Sequence, residues 1–292
     1  MHASVIIPYF NAAETIGDLL HSLTKQAWSL SWEVIISDNG STDDLSSALS
    51  SLHPNIPQLR ILDAGAKRCA SHARNAGVEA AKGNLLLFCD ADDVPGPGWS
   101  NAMIEALNRD RFVAARLSFD ALNPPAMTKA RGTTQVDDLQ KFDFLPFPHA
   151  GGGTLGVRRE IHEAVGGFDE TIPIGEDIDY CIRVQQMGVP LQFVPQAQVN
   201  YRLPSSLRQV YRQARRYAEY EVYLQGRYGQ QAQSIELWRW RKYFATWQHV
   251  LLRLPNLARS PEGRTQLFWR LGRQIGLLRG SIRFRDYPII TE

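Results

Sequence analysis

The sequence predicts an α/β protein, a doubly wound and mainly parallel sheet followed by a C-terminal helical extension. Three observations predict it. Strand-like apolar runs alternate with helical patterns through the first 115 residues. One of those runs, Leu85 to Cys89, is apolar throughout, which implies a strand covered on both faces. Beyond Pro204 the pattern becomes helical and basic. The expected division is residues 1–204 for the sheet domain and 205–292 for the extension.

The elements follow in order. Ser4 to Pro8 is a first strand, and Ala13 to Gln26 a helix with Ile16, Leu19, Leu20 and Leu23 on one side. Glu33 to Ser37 is a second strand, Leu45 to Leu52 a helix, and Leu59 to Leu62 a third strand. His72 to Ala81 forms a helix closed by Gly83, since glycine accepts the left-handed conformation of a helix end. From Phe112 to Phe147 the pattern weakens, and Asn123-Pro124-Pro125 and Arg131-Gly132-Thr133-Thr134 read as loops. Ile178 to Met187 is helical. Helices are also expected at 205–225, near 234–253 and near 262–284.

Composition excludes several classes. With 44% hydrophobic and 21% charged residues the chain is an ordinary globular one, not a disordered one. No stretch reaches the roughly 18 consecutive apolar residues of a membrane-spanning helix. The start lacks the basic and small-residue features of a signal peptide, so the expected location is cytoplasmic. Cys69, Cys89 and Cys181 are scattered, without the pairing of a zinc site or a disulfide framework. No G-x-G-x-x-G follows the first strand and no G-x-S-x-G elbow occurs, against dinucleotide oxidoreduction and α/β-hydrolase chemistry.

Ligands of such sheets bind beyond the carboxyl ends of the strands. Two polar clusters fall there. Asp90-Ala91-Asp92-Asp93 follows the buried strand, and its carboxylates repel one another unless a cation offsets them. Hard oxygen ligands suit Mg²⁺ or Mn²⁺ bridging a nucleotide's phosphates, whereas the plainer role is capping the next turn. Asp38-Asn39-Gly40-Ser41-Thr42-Asp43 follows the second strand; Ser41 to Asp43 read as turn caps, while Asp38 is placed to accept hydrogen bonds from a nucleobase.

Glu176-Asp177 opens a helix, where the dipole favours acidic residues in any case and where a partly shielded carboxylate can act as a general base. Arg74 is either helix surface or the partner of a carboxylate or phosphate. Gly151-Gly152-Gly153-Thr154 is too glycine-rich for regular structure and lacks the Lys of a phosphate loop.

The order of these motifs says more than any one of them. Ser4 to Asn11, Glu33 to Asp43, Arg74-Asn75-Ala76-Gly77, Asp90 to Asp93, Gly166-Gly167-Phe168-Asp169-Glu170 and Gly175-Glu176-Asp177-Ile178-Asp179 closely resemble family 2 glycosyltransferases of the GT-A fold, over roughly residues 4–225. The resemblance implies a nucleotide-diphosphate sugar donor, a glycan, glycolipid or other hydroxyl acceptor, a divalent ion, and inversion at the transferred sugar. It implies that Pro8, Tyr9, Asn11, Asp38, Arg74, Asp90 and Ala91 bind the nucleotide-sugar, with Asp38 facing the base. Asp90 and Asp92 would hold the ion, Asp177 would be the catalytic base with Glu176 beside it, and Gly152, Gly153 and Thr154 would border the acceptor. Polysaccharide biosynthesis is the expected setting. Where related enzymes often place a metal-binding histidine, this chain has Gln198-Val199-Asn200-Tyr201-Arg202, with Asn200 as a weak substitute. A non-catalytic nucleotide-sugar-binding relative and a nucleotidyltransferase are the competing readings.

Net charge divides along the chain. Residues 201–292 hold 17 Lys or Arg against 6 Asp or Glu, and residues 1–200 hold 15 against 24. The tail interleaves Trp238, Trp240, Trp247 and Trp269 with arginines, and aligns Leu267, Leu271, Ile275, Leu278 and Ile282 in a helical stripe. That stripe either packs on protein or makes peripheral contact with the inner membrane face. Nucleic acid is not expected, because no binding motif accompanies the charge.

Overall fold

The computed structural model describes residues 2–49, 56, 58–229, 240, 243–247 and 259–286. The last three residues of the expected 45–52 helix, and most of the one near 234–253, lie outside the described residues; 240 and 243–247 are helical. The chain divides into two compact units. The first comprises residues 1–121, 134–140 and 147–202, the second residues 122–133, 141–146 and 203–292. The second unit thus takes in two short segments that the sequence reading had left with the sheet.

In the first unit the strands are β1 (His2–Tyr9), β2 (Ser31–Asp38), β3 (Leu59–Asp63), β4 (Leu85–Phe88), β5 (Val94–Pro95), β6 (Phe112–Ser118), β7 (Leu155–Arg158) and β8 (Gln192–Asn200). They form one sheet in the order β3-β2-β1-β4-β7-β6-β8-β5. β1 pairs in parallel with both β2 and β4, whereas β7 is antiparallel to β4 and β6. The chain therefore winds outward in both directions from the β1/β4 junction, and that junction is where loops diverge and leave a crevice.

Both faces of the central strands are covered. Ala3 to Ile7 and all of β4 are buried, which is why neither shows polar alternation. α1 (Ile16–Thr24) buries Ile16, Leu19, Leu20 and Leu23 completely, at about 1.5–3 kcal/mol each. The other helices of this unit are α2 (Leu45–Leu49), α3 (Ala70–Ala80), α4 (Trp99–Arg109), α6 (Arg159–Ala164) and α7 (Glu176–Gln186).

Three expectations need correction. Phe112–Ser118 is a strand, not the start of a loop region: it lies between β7 and β8, with Phe112 to Ala115 buried, so it has no alternating pattern to read. Gly83 is not a left-handed helix end. A Cβ there would stand 2.5 Å from Ser4 Oγ and 2.7 Å from the His2 carbonyl, so it is close passage past β1 that requires glycine. The two segments read as loops, 123–125 and 131–134, are joined by α5 (Pro125–Arg131), which takes in Pro125 from the first and Arg131 from the second, with Gly132 after it at φ 72°.

The second unit is organised by α8 (Leu207–Tyr228) and α9 (Pro261–Phe284). Ser206 and Gln209 form a capping box at the start of α8. The contact surface of α9 is not the leucine stripe. Cβ atoms on Gly272, Gly276 and Gly280 would stand 2.6, 2.3 and 2.6 Å from the carbonyl oxygens of Tyr211, Arg215 and Glu219, so the glycines bring the two backbones together. Of the predicted stripe only Leu267 is buried; Leu278 and Ile282 are exposed. The tail tryptophans turn inward: Trp240 and Trp247 pack on Tyr243, Val222 and Leu277, and Trp269 lies 3.1 Å under the Arg131 guanidinium, while Trp238 is outside the described residues. Among the described residues no helix is long and apolar enough to cross a membrane.

Candidate active site

The carboxyl ends of β1, β2 and β4 converge at the sheet's switch point, and two polar clusters stand there. The first is built on a buried arginine. Arg74, on α3, donates from Nη2 to Asp90 Oδ1 at 2.8 Å and from Nη1 to Glu176 Oε1 at 2.8 Å, and is 3% exposed. Of the two sequence readings, the partner of a carboxylate holds. Burial alone would lower the guanidinium's pKa, but Asp90 and Glu176 outweigh it, so its pKa rises. Its guanidinium also lies 5.4 Å from the Phe168 ring.

The glycine segment fits over this ion pair. Gly152–Thr154 is a single 3₁₀ turn, regular and buried, contrary to the expectation of irregular backbone. A Cβ on Gly152 would meet Arg74 Nη2 at 2.7 Å, and one on Gly153 would meet Asp90 Oδ2 at 2.7 Å. That approach aims the Gly152 N–H at Asp177, whose Oδ2 accepts it at 2.9 Å while Oδ1 accepts from the Ile178 N–H at 2.9 Å. Asp177 is thus fixed at the N-terminus of α7, behind Gly175 at φ 80°. Burial pushes its pKa upward, against the pull of Arg74 and the two N–H donors. Glu176 is pushed up to about 7, by burial and then by the neighbouring Asp177 charge, with Arg74 acting in the opposite sense.

Thr154 does not face outward. Its hydroxyl donates to the Gly151 carbonyl at 2.7 Å and accepts from Gln135 Nε2 at 2.8 Å, and the residue is 2% exposed, so it braces the turn and does not border an acceptor. Glu176, engaged by Arg74, likewise points into the protein.

The Asp90–Asp93 turn closes with the Asp93 N–H on the Asp90 carbonyl at 3.1 Å. It is pinned on one side by Thr15, whose hydroxyl donates to the Ala91 carbonyl at 3.1 Å. Arg202 holds the other side: its N–H donates to Asp93 Oδ1 at 3.0 Å and its Nε to the Asp92 carbonyl at 3.0 Å. Asp93 is buried and structural. Asp92 is exposed as a residue, yet its carboxyl is crowded on the turn side; that partial desolvation and the Asp90 charge raise its pKa to about 6.

These residues fit a divalent ion of the Mg²⁺ or Mn²⁺ kind. Two hard, mutually repelling carboxylates on the turn after β4 suit an ion that completes its shell with phosphate oxygens and water. Among the described residues no group of three or more His, Cys, Asp or Glu could hold a metal ion. Asn200 is engaged in strand pairing. Its Nδ2 donates to the Val94 carbonyl at 3.0 Å and its Oδ1 accepts from Gln198 Nε2 at 2.9 Å, which ties β5 to β8.

The second cluster joins the loops after β1 and β2. Asn11, at φ 50°, accepts the Thr42 N–H on Oδ1 at 2.8 Å, and Asp38 Oδ1 accepts the Ser41 N–H at 3.0 Å. Tyr9 is fully buried, and its hydroxyl donates to Asp43 Oδ2 at 2.8 Å. It therefore sits behind the loop and does not line an open pocket; burial and the Asp43 bond raise its pKa. Pro8 is half-buried. The sequence reading missed Phe10, 52% exposed with the Arg68 guanidinium 6.0 Å from its ring, and Gln135, which holds Thr154, the Gly151 N–H and the Ala115 carbonyl. Strand alternation past the buried Tyr9 points Phe10 outward; nothing local marks Gln135. His149 and His162 are buried, and burial lowers both pKa values to about 4.

Comparison with known proteins gives the family and the fold. The sequence model for glycosyl transferase family 2 matches residues 4–166. Glycosyltransferase AglE of Haloferax volcanii is 28% identical over 192 residues, 65% of this chain and 63% of that protein, so the chain spans less than two thirds of this relative's length. The amylovoran biosynthesis glycosyltransferase AmsB of Erwinia amylovora is 26% identical, over 68% of this chain and 69% of its own. In fold, the chain is similar to the mannosyltransferase PcManGT of Pyrobaculum calidifontis, solved with GDP-Man and Mn2+, at a TM-score of 0.63 and 19% identity, covering 96% of this chain and 86% of that one.

Proposed function

The chain belongs to glycosyl transferase family 2, with a GT-A-like fold, and is a glycosyltransferase; on that premise we propose that Asp177 is the general base of an inverting transfer from a nucleoside-diphosphate sugar to an acceptor hydroxyl. One observation carries the assignment. The Asp177 carboxylate is fixed by two backbone N–H donors and joined through Gly152, Arg74 and Asp90 to the turn at the end of β4.

In this reading Asp38 and Asn11 bind the nucleoside, and Asp90 and Asp92 hold a divalent ion, Mg²⁺ or Mn²⁺. When bound, that ion supplies charge neutralisation for the leaving diphosphate. Each oxygen of Asp177 accepts one N–H and keeps a lone pair for the acceptor O–H. The acceptor oxygen attacks the anomeric carbon from the face opposite the diphosphate, the bond from that carbon to the diphosphate oxygen breaks, and the proton passes to Asp177. Arg74 keeps Asp90 in place while its own charge is held by Glu176. A glycan is the acceptor class favoured, since the AmsB relative is named for amylovoran biosynthesis. Family membership removes the nucleotidyltransferase reading.

Thermal-shift screening against UDP-, GDP- and dTDP-sugars with Mn²⁺ identifies the donor, and transfer is then measured for Asp177→Asn. Unchanged transfer by that variant overturns the assignment.

A further inference from the structure

The second unit carries a surface that holds none of the residues assigned to the transfer reaction. α8 and α9 run parallel, because Gly272, Gly276 and Gly280 lie against Ala214, Ala218 and Val222 in ascending order. The pair has two distinguishable edges. On one, Arg273 is bound twice by Glu221 at 2.8 Å; on the other, Glu219 is bound by Arg279 at 3.2 Å and Arg283 at 2.9 Å.

Helical periodicity sorts the remaining side chains between these edges. Arg216, Arg212 and Arg208 precede Glu219 by one, two and three turns on the same stripe of α8, and all three are exposed. On α9, Arg264, Leu271, Ile275 and Ile282 share the stripe of Arg279, with Leu278 one turn before Ile282. Because the helices are parallel, both stripes face the Glu219 side. Six arginines (Arg208, Arg212, Arg216, Arg264, Arg279 and Arg283) are exposed on that side, next to Leu278 at 37% and Ile282 at 71% exposure.

The acids of the two helices do not neutralise this surface. α8 contains only Glu219 and Glu221, both buried and committed to α9, and α9 contains only Glu262, paired with Lys129 at 3.6 Å. Arginines at i, i+4 and i+8 repel one another on an isolated helix, which makes an external anion their natural complement. A polyanion alone has no use for the exposed isoleucine. An apolar edge beside guanidinium groups matches instead the boundary between anionic headgroups and acyl chains, with arginine stems lying along the apolar layer.

We infer that the Glu219 edge of the α8/α9 pair docks on an anionic phospholipid bilayer. Of the tryptophans that the sequence singles out for that task, Trp240 and Trp247 pack, half-buried, against Tyr243, and Trp269 lies against Arg131. The inference stands apart from the transferase assignment, and its test does not read activity.

The test is flotation of the full chain with equimolar phosphatidylglycerol and phosphatidylcholine vesicles, and with phosphatidylcholine alone. Co-flotation is expected only with the anionic vesicles. Each arginine near such a surface contributes on the order of a five-fold change in partitioning at low salt, so Arg212→Gln with Arg216→Gln should lower binding about twenty-fold or more. Ile282→Asp should lower it with the folded state unchanged by circular dichroism. No flotation with anionic vesicles overturns the inference. So does an unchanged Ile282→Asp variant that binds duplex DNA or an acidic polysaccharide as well as vesicles, since the surface is then a general polyanion site.

Discussion

The sheet edge and the α8/α9 pair use the same two residue types, arginine and glycine, to opposite ends. At the sheet edge Arg74 is 3% exposed and shared by two carboxylates, and glycine lets a backbone N–H reach Asp177. In the helix pair most arginines remain at the surface, and glycine brings one helix backbone against another. The difference teaches that a glycine's role is set by what stands opposite its missing Cβ. Opposite Gly152 and Gly153 are the charged groups of Arg74 and Asp90; opposite Gly272, Gly276 and Gly280 are helix carbonyls.

The largest effect should come from the carboxylate that the sheet-edge glycines serve. Asp177→Asn is expected to lower the transfer rate by roughly 10²–10⁴-fold while donor affinity, measured by calorimetry, stays within about two-fold. Next, Arg74→Ala leaves Glu176 and Asp90 without their shared partner, and should cost about 3–5 kcal/mol in denaturant unfolding.

The glycine comparison can be broken directly. Gly153→Ala and Gly276→Ala both force a methyl group into occupied space, at about 1–3 kcal/mol each. Only Gly153→Ala should reduce transfer per folded molecule, because its methyl meets Asp90; equal losses of activity would dissolve the distinction.

The last effect is confined to acid pH. His162 is buried with its pKa lowered to about 4, from an ordinary value near 6.5, by burial and then by the Arg159 and Arg183 charges. The unfolded chain therefore binds a proton that the folded one refuses. Stability present above about pH 6.5 is lost as pH falls toward 4, by roughly 2–3 kcal/mol from this residue. His162→Gln should flatten the melting temperature between those pH values; an equally steep fall would assign the acid sensitivity elsewhere.

Much of the sheet was legible because the information is local. The apolar runs of β1, β2 and β4 and the one-sided pattern of α1 reflect burial that neighbours in sequence share, and the polar clusters at Asp38 and Asp90 stand where strands end. β6 was not legible, since a strand covered by β7 and β8 and rich in small residues lacks alternation. Within the site, an ion pair for Arg74 was legible as one of two readings, but its two partners lie 16 and 102 residues away.

By itself, then, the sequence determined the fold class, the order of the motifs and the family resemblance, because each rests on periodicity or on short runs of residues. Only tertiary structure decided which way those residues face: Tyr9 and Thr154 turned inward, Asn200 held by strand pairing, and α8 and α9 packed through glycines with Leu278 and Ile282 left outside. The physical reason is that hydrogen-bond saturation and Cβ clearance are properties of pairs, and their partners come from distant parts of the chain.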